Sequence, residues 1–363
     1  MGALSITNFL FCVMKSKIWL YILMLLFVVG IMLNYLLLNP FSFEETLSFY
    51  INGQAKTQGV KQRIFKSVKC EKVFTTSESL FTPLKVLAKR QYIYVLDASD
   101  LKIKKFSPSG KFLRAYGKGK GKGPGEFLNP TDFAIDDNFS IWVNDPYLGI
   151  VTVINDQNLI EKTFRTKNLA LKIGLCKDRV ILKRSIAVEY LFDIYDTDGK
   201  YLNSFGKDIF SEQSNVGFSL LVMGGDIYCN SKFVYCAFDR LNYLLSFDLV
   251  SGNVRYMVKT IDEIKVPEIK LFELKGNPVY KIDEDEEFAS LSMNLVADKI
   301  FITSGKNWKK DNTTTIVDVY SADDGSYLYS FKIPEKFKYG YFDGRYYYGV
   351  RDTVVSKWEI VFR

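Results

Sequence analysis

The sequence predicts an all-β protein, a six-bladed β-propeller that follows an N-terminal transmembrane helix. Phe and Tyr are abundant, with 29 and 23 residues among 363, and aromatic residues favour strands. Beyond residue 64, short runs of β-branched and aromatic residues recur without helical periodicity. These runs repeat one order of four strands, and the turn between the third and fourth strand falls near residues 110, 157, 199, 252 and 325.

The N-terminal segment 18–38 reads IWLYILMLLFVVGIMLNYLLL and contains no charged residue. A helix of this length spans about 30 Å, the thickness of the hydrocarbon core of a bilayer. Two lysines precede the segment and two glutamates follow it, so the positive-inside rule places residues 1–17 in the cytoplasm. A cleavable signal is the rival interpretation, but the apolar run is longer than a typical signal core and no small-residue cleavage site follows. We therefore expect a signal anchor in the cell membrane and an extracytoplasmic propeller, periplasmic in a Gram-negative bacterium.

Residues 39–63 show no strong pattern, so we expect a polar spacer before a propeller that spans residues 64–363. The strand EKVFTTSE at 71–78 precedes the first repeat, whereas the C-terminal residues supply only three strands. Pairing this early strand with the last blade completes six blades and removes an exposed sheet edge.

The repeat spacing separates the propeller from its main competitor, a β-sandwich. The first three intervals between the turns are 47, 42 and 53 residues, which suits four-stranded blades. A sandwich would not repeat one strand order five times at this spacing. The last interval is 73 residues because 262–285 are inserted, and we expect a short helix or another ordered excursion there.

The junction between the first two repeats shows a family resemblance. The sequence GPGEFLNP at 123–130 is followed by the strand DFAID and then by IWVND at 141–145. This pattern resembles NHL-repeat propellers and, more loosely, the six-bladed TolB-like group. The match is specific here and in YVLD at 94–97, whereas later repeats keep only strand order and turns. The resemblance implies a propeller fold and often a binding role, but not one particular activity.

Composition excludes several function classes. The chain has no histidine, which removes Ser-His-Asp hydrolysis and His-bound zinc. The net charge of +7 comes from 48 cations and 41 anions that are interspersed, so we expect no nucleic-acid partner. The five cysteines form no CxxC motif and are predicted to be mostly free, buried thiols, with a Cys229–Cys236 disulfide as the disfavoured alternative.

Candidate site residues lie near the ends of the second strands, on one face of the propeller. An acidic ring there could bind a cation or a cationic ligand, whereas each Asp could instead accept N–H groups of the following turn, which is the favoured interpretation. The candidates are Asp97, Asn144, Asp145, Arg184, Asp239 and Asp352. Arg184 would give this face charges of both signs.

These observations favour a binding or scaffold module for a protein, peptide or glycan over an enzyme, without metal or cofactor. The alternative is a divalent-cation-dependent hydrolase that resembles the six-bladed lactonases and binds Ca²⁺ through Asn144, Asp145 and Asp239. A third interpretation is a structural subunit of an envelope complex. Convergent carboxylates with an open position in the channel would favour the hydrolase, and a plug of apolar or mixed-charge residues would favour the binding module.

Overall fold

The structure is a computed structural model, and it divides the chain into two compact units. It describes residues 45–47, 55–185, 189–207, 209, 222–265, 269–274, 277–282, 287–306, 308 and 313–363. The larger unit is a six-bladed β-propeller of four-stranded blades, as the sequence predicts.

The first three blades are antiparallel sheets whose strands follow one another along the chain. Blade 1 consists of β3 (Pro83–Lys89), β4 (Tyr92–Asp97), β5 (Lys102–Phe106) and β6 (Phe112–Tyr116). Blade 2 consists of β9 (Asp132–Ile135), β10 (Ile141–Asp145), β11 (Ile150–Ile154) and β12 (Ile160–Arg165). Blade 3 consists of β13 (Ala170–Cys176), β14 (Arg179–Arg184), β15 (Tyr190–Asp196) and β16 (Tyr201–Lys207).

Blades 4 and 5 keep the same order. Blade 4 consists of β17 (Ile227–Cys229), β18 (Phe233–Ala237), β19 (Tyr243–Asp248) and β20 (Val254–Lys259). Blade 5 consists of β23 (Ser290–Val296), β24 (Lys299–Ser304), β25 (Thr315–Ser321) and β26 (Tyr327–Ile333).

Blade 6 joins the two ends of the propeller sequence. Its three C-terminal strands are β27 (Tyr339–Phe342), β28 (Tyr346–Arg351) and β29 (Val354–Phe362), and β2 (Val68–Thr76) pairs antiparallel with β29. The predicted closure is therefore confirmed, with a strand at 68–76 rather than 71–78. Pairing of β2 with β29 removes the exposed edge that either terminal strand would otherwise leave.

The first strand of each blade lies beside the axis, next to the first strand of a neighbouring blade. Between blades, alternate side chains of the strands form apolar layers because every strand projects residues to both sides of its sheet. One such layer joins Tyr94 and Ile103 of blade 1 to Phe133 and Val143 of blade 2, all fully buried. These layers fix the position of the axial strands, which build the candidate site.

The connection from blade 1 to blade 2 contains the Gly-Lys repeat. Gly117 and Gly125 have φ of +89° and +79°, which glycine adopts without strain. The short strands β7 (Gly119–Lys120) and β8 (Glu126–Phe127) pair in parallel, and the buried Phe127 ring packs in the layer between blades 1 and 2. The stretch is therefore a structural crossover with three exposed lysines.

Residues 55–67 follow the outer edges of blades 4 and 5 before β2 begins. Lys56 exchanges backbone hydrogen bonds with blade 4, and Ile64 and Lys66 bond Ser330 of blade 5. The Arg63 guanidinium donates to Asp318 at 2.7 Å and to Asp262 at 2.5 Å. Contacts to the propeller thus begin before residue 64, the boundary expected from the sequence.

A disulfide joins Cys176 at the end of β13 to Cys229 at the end of β17, so it connects the axial strands of blades 3 and 4. The prediction of mostly free thiols is wrong for these two residues. Cys236 is free and buried; its register partner on β17 is Ile227 rather than Cys229. The two bonded cysteines are 53 residues apart and meet only because both axial strands end at the same level.

The described part of the smaller unit is a three-stranded sheet in the order β1 (Glu45–Leu47), β21 (Ile269–Leu274) and β22 (Asn277–Ile282). The predicted insertion at 262–285 therefore contains two strands, and the sequence of the predicted spacer contributes a third. None of the helices within the described ranges has the length and apolar character to cross a bilayer. The predicted span 18–38 lies outside those ranges.

Candidate functional site

The candidate site is the central channel and its mouth on the upper face, defined as the face on which the second strand of each blade ends. The channel wall carries ionisable side chains among apolar ones. In blade 1, Lys85 on β3 reaches across to blade 2 and donates to Asp132 on β9 at 2.5 Å. The other carboxylate oxygen of Asp132 accepts from the Ile173 N–H of blade 3 at 2.9 Å. Both charged side chains are buried, so this pair joins three consecutive blades.

A second pair continues the same arrangement. Lys172 of β13 donates to Asp226, just before β17, at 2.7 Å, and Asp226 also accepts from the Met293 N–H of blade 5 at 3.0 Å. Burial would lower the pKa of Lys172, but the Asp226 and Asp132 carboxylates outweigh it and raise that pKa above the ordinary lysine value. Burial would raise the pKa of Asp226, but Lys172 and Lys85 hold it below the ordinary value. The Lys172–Asp226 pair is therefore ionised at neutral pH.

Between blades 5 and 6 neutral groups replace the ion pairs. The Asn294 amide donates to the Phe342 carbonyl at 2.6 Å and accepts from the Phe342 N–H at 3.1 Å. Ser292 accepts from the Gly340 N–H at 3.1 Å. Each axial strand from blade 1 to blade 6 is thus bonded to the next one by a side chain, which makes the channel wall rigid.

The lower half of the channel contains a cavity of about 170 Å³ that is lined mainly by aliphatic residues and by the Tyr228 and Tyr341 rings. The hydroxyls of Tyr228 and Tyr339 are buried. Burial raises the pKa of both phenols well above the ordinary value, so both stay neutral. The two lysines on this cavity, Lys85 and Lys89, each pair with an aspartate. This region can therefore hold water or a small apolar group.

A second cavity of about 250 Å³ opens at the upper mouth between blades 3 and 4. Lys183 lies in its wall and donates to the carbonyls of Met223, Gly224 and Gly225 at 2.6, 3.0 and 3.4 Å. Burial lowers the pKa of Lys183. Asp239 lies on the same cavity, and one of its carboxylate oxygens has no hydrogen-bond partner among the described residues.

Strand register shows which of the sequence-predicted residues are equivalent. In the register between the second and third strands, Asp97 of blade 1 corresponds to Asp145 of blade 2 and to Arg184 of blade 3. In blade 4 this position is taken by Phe238, so Asp239 lies one residue further on, beyond the end of β18 at Ala237. In blade 6 Arg351 takes it, and Asp352 lies in the following turn. The expectation that all four Asp residues close a second strand is therefore wrong for Asp239 and Asp352.

Asp97 is fully buried, and its carboxylate accepts four hydrogen bonds. Its carboxylate accepts from the N–H groups of Phe81 at 2.7 Å, Thr82 at 3.0 Å and Ser99 at 3.1 Å, and from Lys104 at 2.9 Å. Burial would raise the pKa of Asp97, but these bonds outweigh it and hold the pKa below the ordinary value. This geometry fixes the loop that enters blade 1.

Asp145 has the same task in blade 2. It accepts from four N–H groups, two before β9 and two after β10, of Leu128, Asn129, Tyr147 and Leu148. The neighbouring Asn144 amide donates to the Ala170 carbonyl at 2.8 Å, whereas its oxygen is buried and without a hydrogen-bond partner among the described residues. Asp145 thus joins the GPGEF crossover to the blade that follows.

Arg184 and Asp352 have different environments. The Arg184 guanidinium is buried and donates to Asp193 at 2.5 Å and to Ser204 at 2.7 Å within its own blade. The Asp352 side chain is 86% exposed and lies 3.8 Å from Arg351. The structure therefore does not bring the six candidates together at one point.

Sequence reasoning missed the two axial ion pairs. Their signal is a charged residue inside an otherwise apolar first strand, as in LKVLA at 84–88 and LKIGL at 171–175. A lysine there needs a buried partner, since an unpaired charge in the interior is costly. The partners come from other blades, so the sequence alone does not identify them. In the described part of the chain no three His, Cys, Asp or Glu side chains group in a way that could hold a metal ion.

Fold and site together define a six-bladed β-propeller whose channel is occupied by paired charges of both signs. Comparison with known proteins agrees with the fold. A profile of the family DUF5128, described as a 6-bladed beta-propeller, matches residues 50–149. No curated protein sequence matches the chain.

Similar solved structures include a Bacteroides fragilis protein provisionally described as exported, with a TM-score of 0.54, 11% identity, and coverage of 85% of this chain and 99% of that one. Virginiamycin B lyase from Staphylococcus aureus has a TM-score of 0.51 and 9% identity over 81% of this chain and 100% of its own. A catalytically inactive His-to-Ala variant of that lyase with quinupristin has a TM-score of 0.51 and 11% identity, with coverage of 81% and 100%. At these identities the likeness extends to the fold alone.

Proposed function

We propose that this chain is a membrane-tethered, extracytoplasmic propeller of the NHL-repeat or TolB-like group. It acts as a binding or scaffold module for a protein, peptide or glycan. The observation that supports this best is the occupied channel, since Lys85 and Lys172 each bond a carboxylate of the next blade. A hydrolytic metal would need several oxygen ligands converging on an open position, whereas these carboxylates are already engaged by lysines and backbone N–H groups.

The disulfide and the N-terminal sequence support the location. Disulfides persist in oxidising compartments, and Cys176–Cys229 joins two axial strands. Residues 18–38 have the length and composition of a bilayer span.

Thiol labelling tests the location. Cells that express the full chain are lysed in denaturant without reductant and treated with a maleimide reagent. Cys176 and Cys229 should then stay unlabelled, and reduction before labelling should make both thiols reactive. The chain should also stay with the membrane after a carbonate wash, whereas a variant lacking residues 18–38 should not. Labelling of Cys176 before reduction, or release by carbonate, would contradict the proposed location.

Site-specific photo-cross-linking tests the binding role. A photoreactive phenylalanine analogue replaces Tyr147, which is 75% exposed in the β10–β11 turn on the upper face. The control is the same replacement at Val250, 88% exposed in the β19–β20 turn on the lower face. We expect a discrete adduct from position 147 in the native membrane and none from position 250. No adduct from 147, or equal adducts from both, would contradict a binding role of the upper face.

The hydrolase alternative has one observation in its favour, because Asn144 and Asp239 each have a buried oxygen without a hydrogen-bond partner among the described residues. Asp145, its third expected ligand, would have to give up four backbone bonds. A rise of the thermal midpoint at millimolar Ca²⁺ that is lost in Asn144→Ala would support this alternative through linkage. The similar lyase offers no support, since its His-to-Ala variant is inactive and this chain contains no histidine.

A further inference from the structure

The wall of the upper cavity between blades 3 and 4 contains a carboxylate whose hydrogen-bonding capacity is only partly used. Asp239 lies beyond the end of β18, lines this cavity, and has a side chain that is 27% exposed. One carboxylate oxygen lies 3.6 Å from an Arg240 nitrogen, and the other is buried without a hydrogen-bond partner among the described residues. An unpaired buried carboxylate oxygen is costly unless a donor reaches it.

The backbone is built closely around this carboxylate. A Cβ atom at Gly224 would lie 2.1 Å from the nearer Asp239 oxygen, so only glycine leaves the carboxylate its present position. The Asp239 N–H donates to the Gly224 carbonyl at 3.3 Å, and its own carbonyl accepts from Ala289 at 2.7 Å. Asp239 is therefore held in place from both neighbouring segments, although one oxygen of its side chain has no hydrogen-bond partner among the described residues.

The cations that line the cavity have partners of their own, with one partial exception. Arg184 is bonded to Asp193, and Lys183 uses its three N–H groups on three carbonyls. Among the described residues Lys172 donates a hydrogen bond to Asp226 alone, and a lysine ammonium has three donors. The Lys172 side chain is 22% exposed, so it has N–H groups available on the cavity side.

The cavity thus offers an acceptor at Asp239, a donor at Lys172, and apolar wall from Leu171, Met223 and Leu291. A ligand that satisfies all three has a cationic amine, an adjacent carbonyl oxygen and an aliphatic group. The cavity has a volume of about 250 Å³. Since a cavity of about 150 Å³ accepts benzene, this volume holds roughly nine or ten non-hydrogen atoms. One amino-acid residue with a free amino group has this size.

We propose that this cavity binds an α-ammonium group with its adjacent carbonyl, as found at the amino end of a peptide or in a free amino acid. Asp239 accepts from the ammonium, Lys172 donates to the carbonyl, and the aliphatic wall receives the side chain. This inference rests on the proposed binding function and names the chemistry that the upper face recognises.

Calorimetric titration of the purified full chain in detergent with L-leucinamide tests the inference. We expect saturable binding of leucinamide and none of N-acetyl-L-leucinamide, which lacks the ammonium. Asp239→Asn should weaken leucinamide binding roughly tenfold to a hundredfold, the value of a hydrogen bond to a charged group. The matched control Asp352→Asn, which removes an exposed carboxylate from the same face, should bind as the unchanged chain does. A cooperative thermal transition of Asp239→Asn, with a midpoint no lower than that of the unchanged chain, verifies that the variant is folded.

Equal binding of the acetylated probe, full binding by Asp239→Asn, or no binding of leucinamide at all would overturn the inference. So would Ca²⁺ binding in place of leucinamide that is lost in Asp239→Asn, since the cavity would then be a metal site. Comparison of free L-leucine with Leu-Gly-Gly distinguishes the two sources of the ligand. Leucinamide binding without a cross-linked partner at position 147 would contradict the proposed function alone. A cross-linked partner without leucinamide binding would contradict this inference alone.

Discussion

Blades 1 and 4 differ in the residues at the upper ends of their second strands and in how those residues are paired. In blade 1 the strand ends on Asp97, and Lys104 on the next strand supplies its counter-charge at 2.9 Å. In blade 4 Phe238 takes the position of Asp97 and Leu245 takes that of Lys104. Asp239 lies one residue further along the chain and has a 3.6 Å contact to Arg240. Asp97 is thus a loop clamp, whereas Asp239 keeps one carboxylate oxygen without a hydrogen-bond partner among the described residues.

Blade 3 shows that the pairing matters more than the sign of each charge. Arg184 occupies the position of Asp97, and Asp193 occupies the position of Lys104, so the same ion pair is present with the charges exchanged. Such an exchange preserves the ion pair between the second and third strands, whereas Phe238 and Leu245 in blade 4 replace it with apolar side chains. Blade 4 therefore lacks the ion pair that links the ends of these strands in blades 1 and 3.

The largest effect is expected for Asp97→Asn. This change removes one of the two carboxylates that pair with the buried Lys104, the other being Asp100 at 2.9 Å, and weakens three backbone bonds, so the free energy of unfolding should fall by about 2–3 kcal/mol. Because the pKa of Asp97 is lowered in the fold, its contribution is present above the unfolded pKa of about 4 and is lost as the pH falls. Urea unfolding at pH 7 and pH 3 should show the deficit at pH 7 and a smaller one at pH 3. A deficit below about 1 kcal/mol at pH 7 would contradict the clamp.

A smaller effect of opposite sign is expected for Asp239→Asn. Burial raises the pKa of Asp239, so the fold favours its protonated form, and this contribution is lost as the pH rises through the folded pKa. Replacing the ionised carboxylate with a neutral amide should raise the free energy of unfolding at pH 7 by up to about 1 kcal/mol, with no gain at pH 4. The same urea titration measures both values. A loss comparable to that of Asp97→Asn would mean that the two aspartates have the same role.

The smallest effect is expected for Asp352→Asn. Its side chain is 86% exposed and has only a 3.8 Å contact to Arg351, so the change should stay within about 0.5 kcal/mol at any pH. Thermal and urea unfolding measured beside the other two variants check this value. If the free energy of unfolding fell by more than about 1 kcal/mol, the exposure of a side chain on this face would not distinguish binding aspartates from structural ones.

The sequence predicted the blades because the signals that define them are local. Alternating strands and turns such as Asp198-Gly199 specify hairpins, and two incomplete ends specify the closure of β2 on β29. The axial pairs and the Cys176–Cys229 bond were not predictable, because each depends on the relative height of strands in different blades. For the same reason the sequence placed Asp239 level with Asp97, whereas the register places it one residue beyond the equivalent position, Phe238.

The closure of blade 6 has a consequence for how the chain is made. The pairing of β2 with β29 joins the first strand of the propeller to its last one, so a ribosome must finish Val354–Phe362 before the ring can close. Until then five blades stand as an open arc, with β2 presenting unpaired N–H and C=O groups at its edge. A nascent chain that stalls before residue 354 is therefore a substrate for proteases and chaperones, even though most of its sheets are complete.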